Sequence, residues 1–273
     1  MAIQSINESA CVLRATGSEK GRTRAIRPGI GGARFLHYGR IVLDGPDEAL
    51  SFNNGVQETG LICLRGAAEV RARRESFQLG KYDSLYVPRD SDISVIPAAG
   101  GCDLVEISAP VDGSYPIQFV RFADVRKDPA LHFLTGEPSA QREVSLLLGK
   151  NIQAGRIVAG LTVSKPGNWT SWPPHEHAAM LEEAYLFVDM PAPSWGIQFV
   201  YTDAKSPEIV TVVREGDCVM IPDGFHPNVA APGAELKFIW MMAAQRERED
   251  RVFGVVNVQP EYAGRPSGLE KGR

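Results

Sequence analysis

The chain predicts an all-β protein built as two jelly-roll β-barrels in tandem, and three observations carry that expectation. Short apolar and β-branched runs broken by Gly, Pro and Asp recur along its length, among them GRIVLDG, GLICLRG, DSLYVPR, CDLVEISA, GRIVAGLTVS, WGIQFVYTD, EIVTVVREG and LKFIWMMA. Runs of that length and composition read as strands, with the punctuating residues supplying the turns. An internal duplication is visible as well. Asp83, Pro88 and Val95 match Asp217, Pro222 and Val229, each pair 134 residues apart (217 − 83, 222 − 88 and 229 − 95). A repeat of that size implies two similar β units. Few segments, finally, hold a helical apolar period. A jelly roll suits each unit because it buries one face of every strand and limits exposed edges.

Taken in order, residues 1–130 are expected to form the first barrel and 131–160 a linker, whose stretch EPSAQREVSLLLG is its most helical part. Residues 161–260 form the second barrel and 261–273 a polar tail. The 273 residues are 44% apolar, enough for a substantial core. A net charge of -4, with basic residues scattered apart from RARR (71–74) and RERED (246–250), gives no reason to expect nucleic acid, and both runs read as solvated faces. The first residues, MAIQSINESACVLRATGSEKGRTR, hold no apolar leader, and no run reaches a membrane span, so a cytoplasmic location and no membrane partner are expected. Cys11, Cys63, Cys102 and Cys218 are widely spaced without a C-x-x-C pair and are expected as idle or buried thiols.

Chemistry concentrates in two stretches of the second unit. His175 and His177 stand in SWPPHEHAAMLEEAYLF, and His226 in REGDCVMIPDGFHPN. Alternation along a strand points both imidazoles of a His-x-His to one side. Glu182 and Glu183 follow at the start of AYLFV, and whichever faces inward adds a carboxylate. Three nitrogens and one oxygen suit a divalent ion, Zn first and Mn, Fe or Ni after it. Gly216, Pro222, Gly224 and His226 keep the pattern G-x5-P-x-G-x-H, which with H-x-H and the following Glu makes up the two halves of the cupin motif. In the first unit Asp92 occupies the place of His226, and nothing before Glu58 supplies a His-x-His pair. That unit is expected to be structural, with His37 and His132 as surface or linker residues.

At GNWTSWPPHEH, EEAYLFV, GIQFVYTD, GDCVMIPDGFHP and AAPGAELKFIWMMA the chain resembles the 5-deoxy-glucuronate isomerase family of inositol catabolism, and more distantly 5-keto-4-deoxyuronate isomerase. The resemblance runs from about Gly45 to about Ala244. It implies a bicupin fold, aldose-ketose isomerisation of a deoxy-uronic acid, a small sugar acid, and His175, His177, Glu183 and His226 as metal ligands, Glu183-Ala184-Tyr185 matching the E-x-Y of the uronate relative. Spacing from His177 equally admits Glu182. Such an isomerase needs a base, for which Glu182 and Glu176 are candidates, and a partner for the uronate carboxylate, for which Lys165, Arg142, Gln198 and Tyr201 are candidates. The loop between His177 and Glu183 is short, and Glu176 stands where the family commonly has Lys. A cupin dioxygenase and a non-catalytic sugar-binding cupin use the same ligands. A homo-oligomer is compatible with all three readings.

Overall fold

A computed structural model describes residues 6–273; residues 1–5, the beginning of the stretch read for a leader, lie outside the described residues. Strand β1 (Val12–Leu13) does not join the first unit: it pairs with Val219 and Cys218 of the second. The first unit consists of β2 (Gly21–Ile26), β3 (His37–Leu43), β4 (Leu50–Asn53), β5 (Gln57–Ala72), β6 (Glu75–Leu79), β7 (Ser84–Val87), β8 (Asp92–Pro110) and β9 (Gln118–Val120). They form one antiparallel sheet of order β2-β3-β8-β5-β7-β9, with β4 on β8 and β6 on β5. The sheet curls over itself because β5 and β8 bend together, with register shifts between Cys63 and Arg65 and between Gly66 and Ala68. A bulge bends a strand. Gly66 sits at φ 67°, and a Cβ there would meet the Gly101 carbonyl oxygen at 2.1 Å, so only glycine fits the bend. The curled interior is filled by apolar side chains such as Ile41, Leu61, Leu85, Val87 and Leu104.

The second unit comprises β10 (His132–Thr135), β11 (Arg142–Leu148), β12 (Ile157–Ser164), β13 (Trp169–Thr170), β14 (His175–Glu176), β15 (Leu181–Phe187), β16 (Gly196–Val200), β17 (Ile209–Val213), β18 (Cys218–Ile221), β19 (Asn228–Ala230), β20 (Lys237–Ala244) and β21 (Asn257–Val258). A seven-stranded sheet, β1-β18-β15-β20-β12-β11-β10, is accompanied by a four-stranded sheet, β13-β19-β16-β17, and by the pair β14-β21. The architecture is all-β, two jelly-roll-like units in tandem whose sheets curl without closing into complete barrels.

Two boundaries differ from expectation. The segment 131–160 is no helical linker: β10 and β11 are strands of the second sheet, and only Pro138–Ala140 turns, as a 3-10 element. Val144–Leu148 are buried on both faces, and a short continuous apolar run of that kind carries no period to tell strand from helix. Nor is 261–273 a free polar tail. Ser267 and Gly272 are buried and Leu269 packs on the core, because the tail lies across the open side of the second unit. All four cysteines are buried and unpaired. The RERED run is partly built in, with Asp250 buried beneath Arg246 and Glu247 accepting from Asp112 N and Gly113 N of the first unit.

The two units share an apolar seam, to which Ile62, Val105, Ile107, Leu146, Leu148 and Val158 contribute. Two buried glutamates cross it in opposite directions. Glu58 of the first unit accepts hydrogen bonds from Gly155 N (2.7 Å), Arg156 N (2.6 Å) and Ile157 N (2.8 Å), where the second unit's β12 begins. Glu182 of the second accepts from Arg34 N (2.8 Å), Phe35 N (2.7 Å) and Leu36 N, just before β3. Each carboxylate thus satisfies three main-chain donors that the turn into a strand would leave unpaired.

Candidate metal centre

The site forms where three pieces of the second unit meet. β14 pairs with β21, His175 opposite Val258 and Glu176 opposite Asn257, and this extended geometry turns the two imidazoles inward and Glu176 outward. A tight turn follows, with Met180 N and Leu181 N both donating to the His177 carbonyl at 2.9 Å, which accounts for the short AAML loop. The chain then enters β15, where Glu183 faces the histidines and Glu182 faces the seam. His226 arrives from the segment before β19. Gly224, at φ 88°, lets that segment cross Tyr201, whose carbonyl oxygen would lie 2.6 Å from an added Cβ; this is the physical content of the second glycine in G-x5-P-x-G-x-H.

His177, Glu183 and His226 present ligand atoms that all lie within 4.8 Å of one another, and all three residues are buried. Glu183 Oε2 is 3.1 Å from His177 Nε2 and 3.2 Å from His226 Nε2. His175 flanks this trio, its ring centroid 5.2 Å from that of His226 and 6.4 Å from that of His177. Each imidazole is oriented from behind by a main-chain carbonyl. Nδ1 donates to Pro173 O (2.9 Å) in His175, to Leu181 O (3.0 Å) in His177 and to Gly224 O (2.9 Å) in His226. That arrangement protonates Nδ1 and leaves the Nε2 lone pair for the centre, the outer-shell pattern of metal-bound histidines. His226 Nε2 lies close to Glu183 but off the direction a hydrogen bond requires, so it is a buried nitrogen without a hydrogen-bond partner. A cation among these atoms would satisfy it, and the donor set fits a divalent ion.

The electrostatics agree. Burial raises the cost of charge on Glu183, but the neighbouring imidazoles of His177 and His226 outweigh it and hold the carboxyl down to about 2. Burial, then the neighbouring His226 and His177, keep His175 well below its ordinary value. Burial also acts on His177, but Glu183 overrides it and raises that group.

A cavity opens beside the centre, lined by His175, His177, Glu183, Tyr185, Arg142 and Trp240 among others, with Phe253 and Leu269 of the C-terminal segment closing one side. Of the other residues singled out in the sequence, none lines it. The expectation that Glu182 or Glu176 serves as base is corrected. Glu182 is committed to the main-chain donors of 34–36, and Glu176 accepts from Ala178 N (3.0 Å) and from the Asn257 amide on the outer side. Lys165 is exposed, its ammonium on the Gln141 side chain. Gln198 supports the His226 segment instead, because β16 runs beneath it, and the Tyr201 hydroxyl holds the C-terminal segment. Gln198 Nε2 donates to His226 O (3.0 Å), and Tyr201 Oη to Gln259 Oε1 (2.8 Å). Arg142 alone of the four candidate carboxylate partners reaches the cavity. Tyr185 and Ser171, paired Oη to Oγ at 2.8 Å, line it without having been singled out. Tyr185 was within reach of the sequence, since it stands two residues beyond Glu183 on one strand face.

Tandem jelly-roll units, one of which carries a histidine and carboxylate centre, define a bicupin with a single candidate metal site among the described residues. The KduI/IolB family profile matches residues 13–258, and the chain belongs to that family. It is 29% identical over 205 residues to the 5-deoxy-glucuronate isomerase of Geobacillus thermodenitrificans, covering 68% of this chain and 72% of that one. It is 28% identical over 243 residues to the 5-deoxy-glucuronate isomerase of Geobacillus kaustophilus, covering 83% and 86%. Among solved structures, an IolB-like protein from Salmonella typhimurium superposes with a TM-score of 0.80 at 24% identity over 93% of this chain and 98% of that one. No helix among the described residues is long and apolar enough to cross a membrane.

Proposed function

We propose that this chain is a divalent-metal-dependent aldose-ketose isomerase of a deoxy-uronic acid, 5-deoxy-glucuronate, serving inositol catabolism in the cytoplasm. The observation that carries the reading is the buried convergence of His177, Glu183 and His226 beside a cavity, in a family whose relatives named above are 5-deoxy-glucuronate isomerases. Those three residues, with His175 beside them, would hold the ion; zinc suits the set, and Mn, Fe or Ni use the same donors. An ion held by these residues would supply Lewis acidity toward neighbouring carbonyl and hydroxyl oxygens of the sugar, making the proton on the carbon between them more acidic. Tyr185 complements this. Burial, then the Glu183 charge, push its phenol well above its ordinary pKa, so Oη stays protonated and serves as a donor to an oxygen that gains negative charge. The walls contributed by Phe238, Trp240 and Met242 keep the surroundings apolar, where such a hydrogen bond counts for more than in water. The reaction is internally balanced, one hydrogen moving between neighbouring carbons and one proton moving the same way between their oxygens.

Metal-replete protein should convert 5-deoxy-glucuronate to the 2-keto acid under anaerobic conditions, followed by NMR. An unchanged spectrum would end the reading, and oxygen uptake with another substrate would put a dioxygenase in its place. In heavy water, deuterium at the carbon that receives the proton is the expected mark of an enediolate route; an unlabelled product would indicate a hydride shift.

A further inference from the structure

Two arginines in this chain are almost wholly buried, and they are neutralised in different ways. Arg40 is 3% exposed and forms a two-pronged ion pair with Asp103, at 3.0 and 2.6 Å. Arg142 is 2% exposed and pairs with no carboxylate among the described residues. Its hydrogen bonds go to two uncharged main-chain carbonyls, Nη1 to Ala140 O (3.1 Å) and Nη2 to Ser267 O (2.9 Å). Glu270 acts on Arg142 only from a distance, its carboxylate accepting from Ser267 N and Oγ. A guanidinium carries five N–H donors and stays charged at neutral pH, so a buried one with no carboxylate in contact is costly and calls for a reason.

The surroundings are fitted to it. A Cβ on Gly136 would lie 2.8 Å from Nη1, and one on Gly268 3.2 Å from Nη2, so both glycines leave room for the head group on the side where the carbonyls hold it. Arg142 and Val144 alternate along β11 on the cavity-lining face. Arg142 is close enough to influence both Tyr185 and His175 electrostatically, which sets it within the same cavity as the candidate metal centre.

We propose that Arg142 is the receptor for the substrate's carboxylate, selecting sugar acids over neutral sugars and setting which end of the sugar meets the metal centre. The proposal rests on the sugar-acid reading above. A carboxylate accepts two parallel N–H bonds from a guanidinium fork, a geometry that lysine does not offer. With its carboxylate on Arg142 the sugar is tethered at one end, and its carbonyl end is directed toward His177 and Glu183.

The test uses full-length, metal-loaded protein and two probes, glucuronate and glucose, with binding measured by calorimetry. Wild type should prefer glucuronate by about 10- to 100-fold, the value of charge-assisted hydrogen bonds to one carboxylate. Arg142→Met should bring the two affinities together, while Arg142→Lys, which keeps the charge without the fork, should fall between. Metal content and circular dichroism identify which variants are folded. Independently of any variant, a crystal structure of wild type with glucuronate should place its carboxylate in hydrogen-bond contact with Arg142. A carboxylate bound elsewhere, an undiminished glucuronate preference in either folded variant, or no preference in wild type would overturn the proposal. If 5-deoxy-glucuronate is not turned over while the Arg142-dependent preference persists, the isomerase reading fails and the receptor stands.

Discussion

The two halves of this chain solve the same structural problem with matching parts and then part company at their interiors. Strand register aligns them: Thr59 lies opposite Val87 in the first unit as Glu183 lies opposite Ile221 in the second, and Leu61 opposite Leu85 as Tyr185 opposite Val219. On that alignment Glu58 corresponds to Glu182, and both do the same thing, reaching across the seam to three main-chain N–H groups of the other unit. Thr59 and Leu61 correspond to Glu183 and Tyr185, and there the halves diverge. One interior is closed by apolar packing, and the other keeps a carboxylate, two imidazoles and a phenol around a cavity, with a third imidazole, His226, beside them. The duplicated feature is thus architectural, and the unduplicated one carries the chemistry. Of two adjacent glutamates, one belongs to each category.

The largest expected effect breaks the second half alone. His177→Ala, His226→Ala or Glu183→Gln should lower bound metal and cut isomerase activity by about 10³-fold, the several kcal/mol of charge stabilisation a bound metal contributes, while the far-ultraviolet circular dichroism remains that of a β protein. Metal content measured on protein purified without an affinity tag decides it. Undiminished metal in all three variants would remove the site.

Next in size is the latch. Glu182→Ala leaves three buried donors without their acceptor, and hydrogen bonds to charged groups are worth roughly 1.5–3 kcal/mol each, not additively, so a loss of about 3 kcal/mol in unfolding free energy is expected. Glu58→Ala should cost a similar amount. Neither should reduce metal content in the folded fraction, measured after urea titration has established stability. If Glu182→Ala abolished metal binding at unchanged stability, the pairing of Glu58 with Glu182 would be a coincidence of geometry.

The sequence made the all-β architecture legible because its turn residues and strand runs are local signals, and the duplication legible because Asp83 and Asp217, with Pro88 and Pro222, cap equivalent strands. It left the choice between Glu182 and Glu183 open, since adjacent residues differ only in which face the strand turns inward, and register with a distant strand fixes that. Arg142 could be named but not ranked above Lys165: burial without a contacting carboxylate is a property of the packed tail and of β11, a strand whose continuous apolar run hid its nature. Residues 261–273 read from composition as a polar tail, and composition does not report that Leu269 finds a cavity to cover.

A smaller effect separates the two halves by their histidines. His37 of the first unit accepts from the Gln57 amide at 2.9 Å, in a network where Arg24 donates to the same Gln57 and to Ser108. Burial, and then the Arg24 charge, push the imidazole from 6.5 down to about 4. The unfolded chain binds this proton more readily than the folded one, so the neutral ring's contribution is intact above 6.5 and is lost as pH falls from 6.5 toward about 4. A proton NMR titration should place the midpoint near 4, and His37→Asn should flatten the stability profile across that window without changing metal content. A midpoint at or above 6.5 would mean that the cationic network does not act on the ring.

The smallest effect is expected at Asp92, the position that matches His226 by spacing. Asp92 is exposed and accepts one hydrogen bond from Asn53 Nδ2 at 2.8 Å. Asp92→His restores one motif letter, yet the first unit has Thr59 in place of Glu183 and apolar side chains where the other imidazoles would stand. A single imidazole on a solvated surface neither gathers the further ligands a stable site requires nor removes a buried contact. Stability should therefore change by no more than about 0.5 kcal/mol, as for most surface substitutions, and metal content should stay at the wild-type level. A second equivalent of tightly bound metal in this variant would show that the first unit keeps a latent centre, and that its apolar interior is no barrier to the chemistry of the second.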